Sequence, residues 1–321
     1  MTDFDFVAAI AAAQTSLFGW SGWRDDASYA GVLCAFGVPM DHGNVISRGA
    51  SRAPATIRHA SSGSSAARDD GLDIGDIGTP NAPDAELVMD RIASVINQMQ
   101  ERGLCPLMLG GDHSITYAPV SALQQSRDMS LIWLDAHTDF SPWSGENFHN
   151  HKQVLRRISK LNGVRQIVQI GYRGITVGDE RALGPGLKVV TTAHARKLNA
   201  QAVLDLVPEG LPCYISIDVD VIDPLDAPGT SAPVPDGLLP EQVKNILRTL
   251  VCHREIIGVD LVEVNPALDV RNETSQVAAD LILCIVENWN HQRTLTKMSN
   301  TTDANLQTDR SGNMRLQTCK P

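Results

Sequence analysis

The stretch Ser130-Leu-Ile-Trp-Leu-Asp135-Ala-His137-Thr-Asp139 joins two signals in one short segment. Its first half, through Leu134, is apolar on both alternating faces, as in a strand buried inside a parallel sheet. Its second half sets two carboxylates and an imidazole at i, i+2 and i+4, positions that share one side of an extended chain. Open α/β sheets place their sites at the carboxyl ends of strands. Carboxylates this close require a cation or a raised pKa. The stretch therefore reads as a buried parallel strand that ends in a cation-binding cluster.

Two further strands end in the same way. Ser216-Ile-Asp218-Val-Asp220-Val-Ile-Asp223-Pro224 closes the apolar run Pro212–Ile217, and Asp218 and Asp220 share a face. Acidic groups at the end of a buried strand cost several kcal/mol each unless paired or metal-bound. The third piece, Gly110-Gly-Asp112-His113-Ser114, follows the apolar run Cys105–Leu109. Its glycines allow a tight turn and close backbone approach. Together the clusters supply the carboxylates Asp135, Asp139, Asp218 and Asp220 and the imidazoles His113 and His137. Two divalent cations balance four carboxylates. Oxygen and imidazole donors without thiolate suit a hard or borderline ion such as manganese, with nickel, cobalt and zinc also admissible. Two ions about 3.5–4 Å apart would hold a bridging hydroxide at neutral pH.

Apolar β-branched runs alternate with amphipathic ones along the rest of the chain. Strands are expected at Gly31–Phe36, Cys105–Leu109, Ser130–Asp135, Gln166–Gly171, Leu187–Thr191, Pro212–Asp218 and Ile256–Val264. Helices are expected at Ala53–Ala60, Glu86–Arg102, Val154–Leu161, Asn199–Val207, Pro240–His253 and Thr274–Trp289. In Glu86–Arg102 the apolar stripe is read as Leu87, Ile92, Val95, Ile96 and Met99. Alternating strands and helices imply a mostly parallel central sheet covered on both faces, a three-layer α/β/α arrangement. No internal repeat or linker divides the chain. Residues 29–294 are read as one catalytic domain, 1–28 as an amino-terminal extension, and 295–321 as a polar tail, disordered or contacting a neighbouring subunit.

The chain has 321 residues and a net charge of −10. The acidic balance argues against nucleic acid and anionic membranes and suits a cationic substrate. The six cysteines form no C-x-x-C pair, and most lie in apolar runs, so no disulfide framework is expected. No apolar run is long enough to span a membrane. The first residues carry Asp3 and Asp5 but no Lys or Arg, unlike a secretory signal, which leaves the cytoplasm as the expected location.

The three cluster motifs resemble those of the ureohydrolases, the arginase–agmatinase family. Gly37-Val-Pro39 and Arg48-Gly-Ala-Ser-Arg-Ala-Pro54-Ala-Thr-Ile-Arg58 resemble the family's amino-terminal segment, and Val259-Asp-Leu-Val-Glu263-Val-Asn-Pro266 resembles its last motif. The likeness spans roughly residues 30–290. It implies the arginase–deacetylase fold, two divalent ions per subunit with manganese first and nickel the main alternative, and assembly into a homotrimer or hexamer or with a paralogue. It also implies roles. Asp135 and Asp218 would bridge both ions, His113 and Asp139 would complete one site, and His137 and Asp220 the other. Glu263 would bind the guanidinium of a small cationic guanidino substrate. The hydroxide would attack the guanidinium carbon, Asp139 would pass its proton to the departing amine, and urea would leave. Asn150-His151-Lys-Gln-Val-Leu-Arg156-Arg157 resembles the segment that carries a proton-transfer histidine, which makes His151 the choice and His149 its competitor.

The chain departs from the family pattern at the substrate end. Arginases usually show Asn where this chain has Ser141. The agmatinase loop G-T-G-T-P-x-x-G-G is here Gly229-Thr-Ser231-Ala232-Pro-Val-Pro-Asp236-Gly237, so Ala232 replaces a pocket-facing Thr and Asp236 a Gly. Losing a hydroxyl leaves apolar room, and apolar sites tolerate added methyl groups. The expected substrate is therefore agmatine-like, guanidine or an N-substituted guanidine or biguanide of the metformin type, rather than arginine. The Ser-Ala-Pro triplet also resembles formiminoglutamases, which attack a related amidine carbon. Deacetylases of the related fold hold one zinc with fewer carboxylates, and a non-catalytic subunit would lose ligands. Six intact ligands speak against both.

Overall fold

The structure is a computed structural model that describes residues 10–11, 13–23, 29–44, 47–64, 71–78, 84–141, 149–173 and 186–289. The polar tail 295–321 lies outside the described residues. The strands are β1 (Ile10–Ala11), β2 (Leu33–Gly37), β3 (Gly71–Ile77), β4 (Cys105–Leu109), β5 (Met129–Leu134), β6 (Val164–Tyr172), β7 (Leu187–Thr191), β8 (Cys213–Asp218) and β9 (Ile256–Val262). They form one sheet in the order β1-β3-β2-β4-β9-β8-β5-β6-β7. Every pairing is parallel except that of β1 with β3.

The helices are α1 (Ala53–Ser61), α2 (Ala85–Glu101), α3 (Tyr117–Leu123), α4 (Val154–Ile158), α5 (Thr192–Ala195), α6 (Ala200–Leu206), α7 (Pro240–His253) and α8 (273–289). The pleat of β5 shows how they share the sheet. Ile132 and Leu134 join the core with Ile57 of α1, Val203 of α6, Leu247 of α7 and Ile282 of α8. Leu131 and Trp133 point the other way, into a core with Ile92 of α2, Val120 of α3 and Leu155 of α4. Successive side chains on a strand face opposite layers, so a strand apolar at every position needs helices on both sides. That is the expected α/β/α sandwich. Among the described residues no helix is long and apolar enough to cross a membrane.

Several details go beyond the sequence expectation. Leu87 of α2 is 43% exposed, and Val88 takes its place in the buried stripe. Val88, Ile92, Val95, Ile96 and Met99 follow the i, i+4, i+7 spacing of one helix face, which Leu87 does not. The helix begins where the Asp84 carboxylate caps the Glu86 N–H at 3.0 Å.

Strand β3 has no apolar signature, because Asp73, Gly75 and Asp76 interrupt it. Its carboxylates face Arg58 of α1, which is 1% exposed. Arg58 Nε and Nη2 donate to the two oxygens of Asp73 at 2.7 and 2.9 Å, and Nη1 donates to Asp76 at 2.5 Å.

The described part of residues 1–28 packs onto the domain. Leu17, Phe18 and Trp20 are buried, and the Leu17 N–H donates to Asp73 Oδ2 at 2.7 Å.

Candidate metal centre

Strands β4, β9, β8 and β5 are consecutive in the sheet, and each carries cluster residues just beyond its carboxyl end. After β4 the chain turns sharply: a Cβ on Gly111 would lie 1.7 Å from the Met40 carbonyl oxygen, so only glycine fits. His113 then opens a short 3-10 turn capped by Asp112, whose Oδ1 accepts the Ser114 N–H at 3.0 Å. After β8, Asp218 caps its own turn by accepting the Asp220 N–H at 2.8 Å. The Ala136 N–H donates to Asp220 Oδ1 at 3.0 Å, tying the ends of β5 and β8 together. Asp139 and Glu263 have φ of +46° and +63°. Left-handed backbone at non-glycine residues costs roughly 1–2 kcal/mol each and clusters where function over-determines the geometry.

The six side chains converge in two overlapping groups. His113 Nδ1 lies 3.3 Å from Asp135 Oδ2, 3.3 Å from Asp139 Oδ2 and 3.2 Å from Asp218 Oδ2. His137 Nδ1 lies 2.8 Å from Asp220 Oδ2 and 3.6 Å from Asp135 Oδ1. Asp135 thus gives one oxygen to each group. Geometry alone picks out His113–Asp135–Asp218 and Asp135–His137–Asp220 as triads able to hold an ion.

The hydrogen bonds behind His113 test whether a cation fits. Ser216 Oγ donates to Asp260 Oδ1 at 2.7 Å, and Tyr214 donates to Asp260 Oδ2 at 2.8 Å. Ser216 therefore accepts from His113 Nε2, 2.9 Å away. The proton sits on Nε2, and Nδ1 presents a lone pair. This buried atom has no hydrogen-bond partner and faces three carboxylate oxygens. Lone pairs converging on one point repel unless a cation lies between them.

The electrostatics agree. Burial pushes the Asp218 carboxyl well above the usual range, and Asp220 and Asp135 push it further. Burial carries Asp139 up to about 6, with Asp135 adding to it. Burial opposes charge on His137, but Asp135 and Asp220 override it and carry the imidazole to about 12. This is a donor set with surplus negative charge, and divalent cations fit it. Trp133 fixes the geometry from below, stacking on His113 at 3.8 Å between ring centres and donating Nε1–H to Asp135 Oδ2 at 2.8 Å.

Above the cluster opens a cavity of about 540 Å³. His137, Asp139, Asp218, Asp220 and Glu263 line its acidic part, and Phe140, Ala232, Pro233, Val234 and Pro235 form an apolar part. Glu263 Oε1 accepts the His113 N–H at 2.9 Å and lies 3.3 Å from His151 Nδ1. The family model described as the arginase family matches residues 33–287. The chain belongs to the arginase family.

Its relatives in the family differ in the substrates their names carry. The chain is 34% identical to the proclavaminate amidinohydrolase of Streptomyces clavuligerus over 78% of this chain and 85% of that protein. It is 32% identical to the guanidinopropionase of Pseudomonas aeruginosa, again over 78% and 85%. Among solved structures, a hypothetical agmatinase from Burkholderia thailandensis superimposes with a TM-score of 0.77 at 28% identity, covering 88% of this chain and 93% of that one. Arginase-family members hydrolyse carbon–nitrogen bonds of linear amidines, and this chain is a hydrolase of that class.

Within this arginase-family site the structure places most of the residues singled out from sequence and displaces two. His151 lines the cavity. His149, its competitor, does not: it is buried away from the cavity with Nε2 3.0 Å from Glu86 Oε1 and Nδ1 3.3 Å from Arg157 Nη1. Two residues along a turning chain are enough to send a side chain to another partner. Ser141 and Ala232 line the cavity. Asp236 does not; it occupies a left-handed turn position with φ +65°, a conformation that Asp tolerates better than most side chains.

Sequence reasoning missed Lys152, Arg173, Asn44 and Thr230, which also line the cavity. Arg173 directly follows β6, the neighbour of β5, so the rule that sites gather at strand ends would have found it. Lys152 and Thr230 stand inside the motifs that carry His151 and Ala232, and nothing local marks Asn44.

Ser216 gives a direct test of this support. A residue that orients a metal-bound histidine affects metal affinity by about 10–100-fold. Ser216→Ala is expected to weaken metal binding by that factor, read by chelator competition, with little change in thermal stability. Unchanged affinity would remove the assigned tautomer.

Proposed function

We propose that this chain hydrolyses a guanidino compound to urea and an amine at two divalent metal ions held by His113, Asp135, His137, Asp139, Asp218 and Asp220. The observation that carries the reading is Asp135, which gives one oxygen to each of two histidine–carboxylate groups. Manganese is the first choice of metal and nickel the second. When bound, the pair lowers the pKa of water so that it can act as a nucleophile at neutral pH.

The chain's own residues do the rest. Glu263 Oε1 is held by the His113 N–H and His151, which fixes the carboxylate at the cavity floor, where it pairs with a planar guanidinium. That pairing orients the guanidinium carbon toward the cluster. Asp139 lines the same floor and carries a proton to the departing amine. His151 exchanges protons there: burial works against its charge, yet Glu263 raises its pKa above the usual histidine value.

Substrate choice follows from the outer wall. Ser141 and Ala232 offer little to hold an α-amino acid group. The substrate is a guanidine without that group: guanidine itself, an agmatine-like compound, or an N-substituted guanidine or biguanide. Urea release is to be measured over a panel of these compounds and arginine, with the chain loaded separately with manganese and with nickel. Arginine is expected to fall at least about 100-fold below the best substrate in kcat/KM, and chelation to abolish turnover. Rapid hydrolysis of arginine alone would sink the substrate assignment.

A further inference from the structure

We infer that Lys152 selects the tail of the substrate, favouring a guanidine whose far end carries a carboxylate. This rests on the amidinohydrolase reading and narrows its substrate class to an ω-guanidino acid. The cavity holds side chains of both charges. Its acidic residues are Asp139, Asp218, Asp220 and Glu263, which would take the guanidinium. Two cationic side chains line it as well, Arg173 and Lys152.

Arg173 is not available to a ligand. Its Nη2 donates to the carbonyls of Asp220 at 2.6 Å, Val234 at 2.8 Å and Ile222 at 3.2 Å. Nε donates to Val234 and Pro235, both at 3.1 Å, and Nη1 donates to Gly171 and Val221, both at 3.3 Å. All three nitrogens are taken by backbone, and the effect is to clamp the Val234-Pro235 wall onto the turn that carries Asp220.

Lys152 is different. Its backbone is fixed, because its N–H donates to Asn150 Oδ1 at 2.8 Å and its carbonyl accepts the Ser141 N–H at 2.9 Å. Its side chain is exposed and has no carboxylate partner among the described residues. It follows His151 directly, at the cavity. A guanidinium on Glu263 and a carboxylate on Lys152 would each meet an opposite charge lining the same cavity, joined by a methylene chain beside its apolar residues. Agmatine would bring its ammonium toward the same lysine. Arginine would bring an α-ammonium there together with its carboxylate.

4-Guanidinobutanoate and agmatine both carry four carbons beyond the guanidino group, the last being the carboxylate carbon in the first and a methylene bearing the ammonium in the second. They therefore place opposite charges at similar reach, and their ratio reports on the tail while cancelling general effects on folding or metal loading. The wild-type chain is expected to prefer the butanoate roughly tenfold in kcat/KM for urea release, since attraction replaces repulsion at a partly exposed charge. Lys152→Met should level the ratio and Lys152→Glu should invert it. The same ratios are to be read as dissociation constants by calorimetry. A wild-type ratio near one, or a ratio that Lys152→Glu does not move, overturns the inference. The two readings fail separately. Tail preference in binding without urea release removes the hydrolase reading and keeps the lysine; urea release from both compounds at equal efficiency does the opposite.

Discussion

Replacing Asp135 with Asn is expected to strip the purified chain of most of its bound metal and to lower urea release by more than roughly 100-fold, a larger effect than loss of a supporting contact. Asp135 is the only one of the six residues whose two oxygens lie in both ion-binding triads. Asn keeps the shape and the carbonyl oxygen but removes the charge and turns one oxygen into a donor. The Trp133 Nε1–H and the His137 N–H both point at the Asp135 carboxylate, so one of these would then meet an NH₂ group. Four carboxylates become three, too few to balance the two divalent ions proposed above. Metal per chain, measured by elemental analysis after gel filtration, should fall clearly below that of the wild type. The fold should persist, since β5 is held on both sides by β6 and β8. A variant that kept two ions per chain and near-normal turnover would remove the assignment of Asp135 as the shared ligand.

The second large effect concerns stability. Arg58→Met is expected to cost about 3–5 kcal/mol, because it leaves a buried carboxylate without its counter-ion. Asp73 is 6% exposed, and without Arg58 it would keep, among the described residues, only the N–H groups of Leu17 and Gly75. The loss should appear as a lower urea midpoint, with metal per folded chain unchanged because the network is distant in sequence and separate from the cluster residues. Adding Asp73→Leu should recover part of it, since an apolar pair often replaces a buried ion pair at little cost. Recovery should be incomplete, because Asp73 also holds the Leu17 N–H. A loss below about 1 kcal/mol would place the pair in the class of exposed ion pairs.

Much of the sheet was legible from local pattern. Strands β4 and β7 and helix α7 occupy the expected ranges, and β5 and β8 are offset by one residue at their ends. These segments are buried on both sides or amphipathic with a fixed period, so local sequence carries the signal. β3 was not legible. Its aspartates deny the apolar pattern, and only Arg58, brought in from α1, makes their burial tolerable. Helix α3, Tyr117–Leu123, escaped for a related reason: it is short and buries most of its residues, so no polar face marks its period.

The histidine–carboxylate cluster divides in the same way. Alternation along a strand decided that Asp135, His137 and Asp139 emerge together, because the period of two is a property of the extended backbone itself. The chemistry of the donor set decided that a cation belongs there. Sequence could not decide that β4, β9, β8 and β5 lie side by side, which is what brings His113 within 3.3 Å of Asp135, Asp139 and Asp218. Nor could it decide between His149 and His151, whose fates depend on which partner lies within reach after a turn. Nor could it show that Arg173 is held by backbone while Lys152 is not. Local pattern fixes which way a side chain points from its own strand; what it meets there is set by strand order and loop closure, which are properties of the whole chain.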